Sequence, residues 1–352
     1  MQSFSYRANP AQVVFGQGTI AQIESQLDTL GVSHPLFLST PPQADQVRAI
    51  AATLGARSVG VFEDARVHTP IEVSERALKH LKSKKADGIV SIGGGSTIGL
   101  GKALAFRTNL PHLVVPTTFA GSEMTPILGE TADGTKRTLS SDKVLPSSVI
   151  YDVDLVLTLP PRMAGLSGMN AIAHAVEALY AKDANPIISM LAHEAIGTLA
   201  KALPKIIEMP DDTQARADAL YGAWLCGTCL GSVGMALHHK LCHTIGGMFD
   251  LPHAETHCVI LPHALTYNAP AIPDVIADLR ATLGTDDPAR TLFELGKTVD
   301  APDGLKDVGM PEGKIDETVE KAMSNAYWNP RALEKEPLTK LIERAWSGAP
   351  PS

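Results

Sequence analysis

The sequence predicts an α/β protein: an amino-terminal parallel sheet with helices on both faces over residues 1–157, then an all-helical carboxy-terminal domain over residues 158–352. Three observations predict it. Short apolar β-rich runs alternate with amphipathic stretches through the first 150 residues, a glycine-rich loop joins one such run to the helix after it, and beyond Pro160-Pro161 nearly every segment has helical periodicity. At roughly 150 residues per domain, 352 residues make two domains.

Val13-Val14-Phe15 is the first strand, before Gly16-Gln17-Gly18, and Ile20 to Leu30 has helical spacing. Pro35 to Leu38 is an apolar strand that ends at Ser39-Thr40-Pro41-Pro42, and Ala44 to Leu54 is helical again. Ser58 to Phe62, Gly88 to Ile92 and His112 to Val115 are further strands, interleaved with a helix over Pro70 to Lys84 and with the helix opened by the glycine loop. Strands apolar on both sides belong in a Rossmann-like sheet covered by helices, whose ligands bind beyond the carboxyl ends of the strands. The later helices are Arg162 to Lys182, Pro186 to Ile207, Thr213 to Met248 broken at a glycine, Leu261 to Leu265, Asp274 to Thr282, Ala289 to Val299, Glu312 to Ser324 and Pro337 to Ser347.

Composition excludes several classes of function. With 44% apolar and 19% charged residues the chain is globular rather than disordered, and a net charge of −8 without any Lys/Arg run argues against a nucleic-acid partner. Cys226 and Cys229 form a C-x-x-C inside an apolar helical stretch, and Cys242 and Cys258 do not repeat the pair, so the four read as buried reduced thiols rather than a zinc knuckle or disulfide framework. Reduced thiols, and an amino end without the order of a signal peptide, predict a cytoplasmic address. Ala219 to Leu237 runs without a charge or a histidine; its four glycines and its solitude make it a buried core helix, and no membrane partner is expected.

Gly93-Gly94-Gly95-Ser96-Thr97 follows a strand and opens a helix. Consecutive glycines let an anion touch main-chain N–H groups, and a helix amino terminus offers about half a positive charge to a phosphate. Gly94 and Gly95 are therefore candidate phosphate contacts, with Ser96 and Thr97 capping the helix and donating hydroxyls. The pattern is neither G-x-G-x-x-G nor a P-loop. The next strand runs into a second hydroxyl-rich loop carrying Thr117, Thr118, Ser122 and Thr125, and two such loops at one sheet edge suggest a nucleotide cleft.

Asn170 and His174 lie four apart on one helix face, as do His239 and His243, and His253 follows ten residues later. Imidazoles so spaced supply metal ligands, general acids, or both. His238, adjacent to His239, must point elsewhere and reads as structural. A divalent cation held by three neutral imidazoles and one carboxamide keeps its full charge in a low-dielectric pocket, which lowers metal affinity. Glu177, one turn after His174, could lend a charge behind the site, but on a helix reads first as an exposed pair or cap.

These residues together resemble the iron-containing, or group III, alcohol dehydrogenase family over residues 10–270. The resemblance implies an active site in the cleft between the two domains. It also implies metal ligands at Asn170, His174, His239 and His253, with His243 near a nicotinamide. The sequence departs from the family at its first ligand, an Asp there and Asn170 here, and in its shortened loop Thr117-Thr118-Phe119-Ala120-Gly121-Ser122-Glu123. With Val67-His68-Thr69-Pro70, these departures are similar to the branch that reduces the carbon–carbon double bond of 2-maleylacetate to 3-oxoadipate with NADH or NADPH, in the breakdown of resorcinol-type and chlorinated aromatics, and that requires no metal. The alternative is an iron- or zinc-dependent alcohol or aldehyde dehydrogenase of the same fold, in which Asn170 still ligates. A homodimer is expected.

The chemistry implied by that branch suits the residues. Hydride added to the alkene carbon remote from the ketone sends charge onto the keto oxygen, where a positioned acid is worth roughly 10²–10⁴-fold. His243 is the leading acid, and His239, His174 and His253 share or orient, with Asn170 and His68 assigned to the substrate. Lys136, Arg137, Lys240 and His68 are the cations within reach by position for the two carboxylates. The second strand ends at Ser39-Thr40 without the carboxylate that favours NAD, so Thr40 joins the cofactor residues and NADH and NADPH both serve. A zinc hydrolase would need the histidines but not the glycine loop.

Overall fold

A computed structural model describes residues 4–9, 12–132 and 135–352, and for Thr135 and Lys136 the backbone alone. The chain forms two units, one of residues 8–159 and one of residues 160–352 with residues 4–7.

In the first unit the strands are β1 (Gln12–Gly16), β2 (Pro35–Leu38), β3 (Val61–Phe62), β4 (Gly88–Gly93), β5 (His112–Pro116) and β8 (Ser148–Asp152), all parallel, in the order β1-β8-β5-β4-β2-β3. The helices are α1 (Ile23–Thr29), α2 (Ala44–Thr53), α3 (Ile71–Ser83) and α4 (Gly95–Thr108). Alternation along each strand divides them between two cores. Phe37, Val90 and Ile92 pack with α1 and α2 through Ile23, Leu27 and Val47, whereas Leu36, Leu38 and Ile89 pack with α3 and α4 through Val73, Ala77 and Leu104. Successive strand side chains point to opposite faces, so an apolar run in a strand needs helices on both sides.

The chain steps outward from β2 to β3 and then returns to lay β4 on the other side of β2. That reversal leaves a crevice at the carboxyl ends of β2 and β4, the place where open α/β sheets bind ligands. Ile20 to Leu30 is shorter as an α-helix than its spacing predicts, because Thr19–Gln22 is a 3-10 turn, and the strand at Ser58 to Phe62 shrinks to two residues at the sheet edge. An antiparallel hairpin, β6 (Ile127–Ala132) and β7 (Thr135–Ser140), lies outside the main sheet.

The second unit is helical: α5 (Pro161–Leu179), α6 (Pro186–Glu208), α7 (Thr213–Ser232), α8 (Leu237–Phe249), α9 (His253–Asn268), α10 (Pro273–Leu283), α11 (Pro288–Thr298), α12 (Ile315–Ser324) and α13 (Lys335–Ser347). Gly168 lets α5 lie close on α6, since a Cβ there would stand 2.5 Å from Leu203. The break expected between Thr213 and Met248 falls after Ser232 and turns the chain by 92° from α7 to α8. Among the described residues no single helix is long and apolar enough to cross a membrane; the bent pair α7 and α8 passes by length and composition. All four cysteines are free and buried. The segment read as Leu261 to Leu265 is part of a helix three times as long that begins at His253, which changes the site described next.

Candidate active site

Three loops meet at the carboxyl edge of β2, β4 and β5. Gln43 joins them: its Nε2 donates to Thr117 Oγ1 (2.9 Å), its Oε1 accepts from Thr40 Oγ1 (3.4 Å), and the same oxygen stands 3.0 Å from where a Cβ on Gly93 would be. Gly94 is the N-cap of α4, and no side chain caps this helix. Ser96 and Thr97 therefore do not cap as the sequence suggested. Thr97 is buried and turned back against Gly93, where only a glycine leaves room for it, and its Oγ1 has no hydrogen-bond partner among the described residues. Gly95 is different: a Cβ there meets nothing within 4 Å. Open space before an uncapped helix amino terminus suits a pyrophosphate, and the half-buried Thr118 beside Gly94 and Ser122 further on border the same loops.

Thr125 is engaged elsewhere. The fully buried Lys102 on α4 donates to Thr125 Oγ1 (2.8 Å) and to the carbonyls of Ser122 (2.5 Å), Thr125 (2.8 Å) and Ile127 (2.9 Å). Burial pushes Lys102 down to about 7 and its neighbour Glu123 upward, and Tyr151 Oη donates to Glu123 Oε1 at 2.9 Å. Lys102 thus pins the segment after the Thr117-Thr118 loop, a role that its place inside a helix did not announce. His68 lies exposed in this unit with φ +63°, and its carbonyl accepts from Thr131 Oγ1. Arg137 is exposed on β7, and the Lys136 side chain lies outside the described residues.

In the helical unit, α5 carries Asn170, His174 and Glu177, α8 carries His238, His239, Lys240 and His243, and α9 carries His253 and His257. Their spacing brings six imidazoles together. Ring centroids are 5.1 Å apart for His174 and His239, 5.0 Å for His239 and His257, 4.8 Å for His238 and His257, 5.9 Å for His239 and His243, and 4.3 Å for His253 and His257. His174, His238, His239 and His257 are buried, whereas His243 and His253 are exposed. Burial, reinforced by the neighbouring rings, holds His174, His238 and His257 well below the usual imidazole range, so they are neutral.

Two readings of the sequence are corrected here. His238 does not point away from the cluster: its Nε2 lies 2.9 Å from His257 Nδ1, and it braces the α9 ring from α8. Glu177 is fully buried rather than exposed. Its Oε1 accepts from the His238 N–H (2.7 Å), and its Oε2 accepts from the Ala236 N–H (3.0 Å) and from His239 Nδ1 (2.6 Å). It therefore caps α8 and fixes the His239 tautomer, with Nε2 directed into the pocket.

Asn170 Oδ1, His174 Nδ1, His239 Nε2 and His257 Nε2 are buried and have no hydrogen-bond partner among the described residues. Orphaned groups cost about 1–3 kcal/mol each, which marks a pocket shaped for an occupant. Ligand atoms of His174, His239 and His257 lie within 4.8 Å of one another, a donor set that fits a divalent cation. His253, expected from the resemblance to ligate, is exposed, with its ring 4.3 Å from that of His257; the convergent set contains His257, one turn further along α9. Glu177, behind His239 and bonded to its Nδ1, supplies negative charge to the set, the role that the sequence reading had ranked second for it. His257 was legible as the i+4 partner of His253 only to a reading that began the helix at residue 253.

The chain matches two family models, iron-containing alcohol dehydrogenase over residues 10–153 and the Fe-containing alcohol dehydrogenase family, C-terminal, over residues 165–346. It is 50% identical over 351 residues to a maleylacetate reductase of Rhizobium sp. (strain MTP-10005), covering 100% of both chains. A crystal structure of maleylacetate reductase from Agrobacterium tumefaciens superposes with a TM-score of 0.97 at 49% identity over 100% of both chains. One of an iron-containing alcohol dehydrogenase from Corynebacterium glutamicum gives 0.94 at 37% identity over 98% of this chain and 97% of that one. The chain is an oxidoreductase and belongs to the iron-containing alcohol dehydrogenase family.

Proposed function

We propose that this oxidoreductase reduces the carbon–carbon double bond of 2-maleylacetate to 3-oxoadipate with NADH or NADPH, by imidazole acid catalysis and without a required metal. The observation that carries the reading is a buried amide, Asn170, where the resemblance puts an acidic ligand, one helical turn before His174 of the convergent imidazole set. The name maleylacetate reductase borne by relatives 43–50% identical across nearly their whole length supports it.

The reduced nicotinamide supplies the hydride. Gly94, Gly95 and the α4 amino terminus hold the pyrophosphate, and Thr40, Thr117, Thr118 and Ser122 border the nucleotide. No carboxylate follows β2 to repel a 2′-phosphate, which fits use of both cofactors.

As the double bond is reduced, charge collects on the keto oxygen. His243 is the leading donor to that oxygen, because it is exposed to an entering substrate and its Nδ1 is engaged at 3.2 Å by Tyr327 Oη, which presents Nε2. His239, held by Glu177, and His174 orient the enone from the buried side, with Asn170 Nδ2 a further donor.

A second reading is favoured by the His174, His239 and His257 set: those residues would hold a divalent ion, which would polarise a carbonyl as a Lewis acid. NADH oxidation followed by absorbance with maleylacetate, with and without a chelator and with metal analysis, separates the two. Turnover unaffected by complete metal removal supports the proposal; turnover that vanishes and returns with stoichiometric metal establishes the second reading. His243→Ala is expected to abolish most turnover with NADH binding retained, and near-native turnover would remove that assignment.

A further inference from the structure

Lys240 lies on α8 between His239 and His243, and it is only 9% exposed. Its stem is buried, yet its Nζ has no hydrogen bond or ion pair among the described residues. The ammonium rests over the ring of Tyr327, 5.6 Å from the centroid, and the same Tyr327 reaches His243 Nδ1 through its hydroxyl. The acids of α12 are spent elsewhere: Glu317 pairs with Lys314 and Glu320 with Lys335. Tyr327 is also held in place, because Asn329, two residues on, accepts from Leu237 N–H at the start of α8 and exchanges two hydrogen bonds with Asn268 at the end of α9.

A cation–π contact alone is a weak partner for an ammonium, and a lysine beside the His243 imidazole with no carboxylate bonded to it among the described residues is a locus for an anion. The geometry points to Lys240 as the residue that receives the substrate's carboxylate on the acetate arm, one methylene from the ketone, with Tyr327 holding both Lys240 and His243 in register. This inference rests on the function proposed above. A group within one helical turn of the imidazole at the keto oxygen reaches that carboxylate, whereas the other carboxylate is borne by the carbon that must lie against the nicotinamide.

The test compares maleylacetate with 4-oxo-2-pentenoate, the same enone with the acetate-arm carboxylate replaced by hydrogen. Lys240→Met keeps the apolar stem and removes the charge. It is expected to lower kcat/KM for maleylacetate roughly 10- to 100-fold, the loss of one charge-assisted hydrogen bond, mostly through KM, and to change the value for 4-oxo-2-pentenoate less than about threefold. Lys240→Arg should recover most of the loss. Equal losses on both substrates, which a purely structural lysine would give, overturn the inference, as does no loss on either. Calorimetric binding of 3-oxoadipate and 4-oxopentanoate gives the same comparison without turnover. If the wild-type protein fails to reduce maleylacetate, the proposed function falls, while a Lys240-dependent preference for 3-oxoadipate would still stand or fail separately.

Discussion

Replacing Glu177 with Gln tests whether a buried carboxylate organises the imidazole pocket. Glu177 takes the His238 N–H on one oxygen and the Ala236 N–H and His239 Nδ1 on the other. Gln keeps one oxygen. If it occupies the Oε2 position, the amide NH₂ faces the His238 N–H, and one buried donor loses its acceptor at about 1–3 kcal/mol. If the amide is turned the other way, the three donors at the Oε2 position, the Ala236 and His239 N–H groups and His239 Nδ1, face the NH₂ instead. The smaller loss sets the floor, and at about 2–4 °C per kcal/mol for a unit of this size it is visible in a thermal melt. The catalytic effect is separable from this, because the variant is assayed below its melting range. Gln also frees His239 to take the other tautomer, with Nδ1 accepting from the amide, so that a hydrogen replaces the lone pair at Nε2. Losing a partner of this kind typically costs roughly 10–100-fold in activity or metal affinity. The assay is NADH oxidation with maleylacetate beside a melting curve. A variant with unchanged melting temperature and unchanged kcat would refute the view that an ionised Glu177 holds α8 and His239 in register.

Gly95→Ala places a methyl where nothing stands within 4 Å, so the melt should not move, while KM for NADH should rise roughly 10-fold or more from the blocked approach of the pyrophosphate; an unchanged KM places the nucleotide elsewhere. Stability should fall as pH drops below about 6.5. Burial lowers His112 to about 3 and His263 to about 4 and holds His174, His238 and His257 well below the imidazole value, so the unfolded chain binds protons that the native chain does not. Each such group then removes about 1 kcal/mol between pH 6.5 and 5.5, and denaturant midpoints that stay flat over that interval would show the rings are charged in the native state. Asn170→Asp adds an anion to the His174, His239 and His257 donor set and should bind a divalent ion roughly 10-fold or more tightly by chelator competition, with KM for the dianionic substrate raised; equal affinities would remove residue 170 from the pocket's charge balance.

The α/β half was legible because its signal is local. Leu36 and Phe37 are adjacent and both buried, which in a strand means two covered faces, and the glycines after β4 mark the edge at which chain order reverses. The hairpin of β6 and β7 was not legible, since its strands mix Gly, Glu and Thr with Ile and Leu and have no long apolar run. Thr97 and Thr125 were misread for a related reason. A hydroxyl in a turn is equally suited to a ligand and to its own protein, and here Thr97 is folded back on Gly93 four residues earlier while Thr125 is taken by Lys102, 23 residues away.

The imidazole pocket shows the same limit in its sharpest form, because its charge depends on a single side chain. Asn170 and the helical pairs could be counted along the chain, and counting gave a neutral donor set of lowered cation affinity. Glu177 reverses that sum without touching the pocket. Nothing local distinguishes it from a surface glutamate at the end of a helix. Its burial follows from the 92° turn between α7 and α8, which delivers the α8 amino terminus onto α5 and leaves the N–H groups of Ala236 and His238 in need of an acceptor. The carboxylate is held by helix-end amides, and only because it is held does its second oxygen align a histidine. The electrostatics of the site are thus a product of helix capping, which is a property of how the segments pack and not of which residues are spaced four apart.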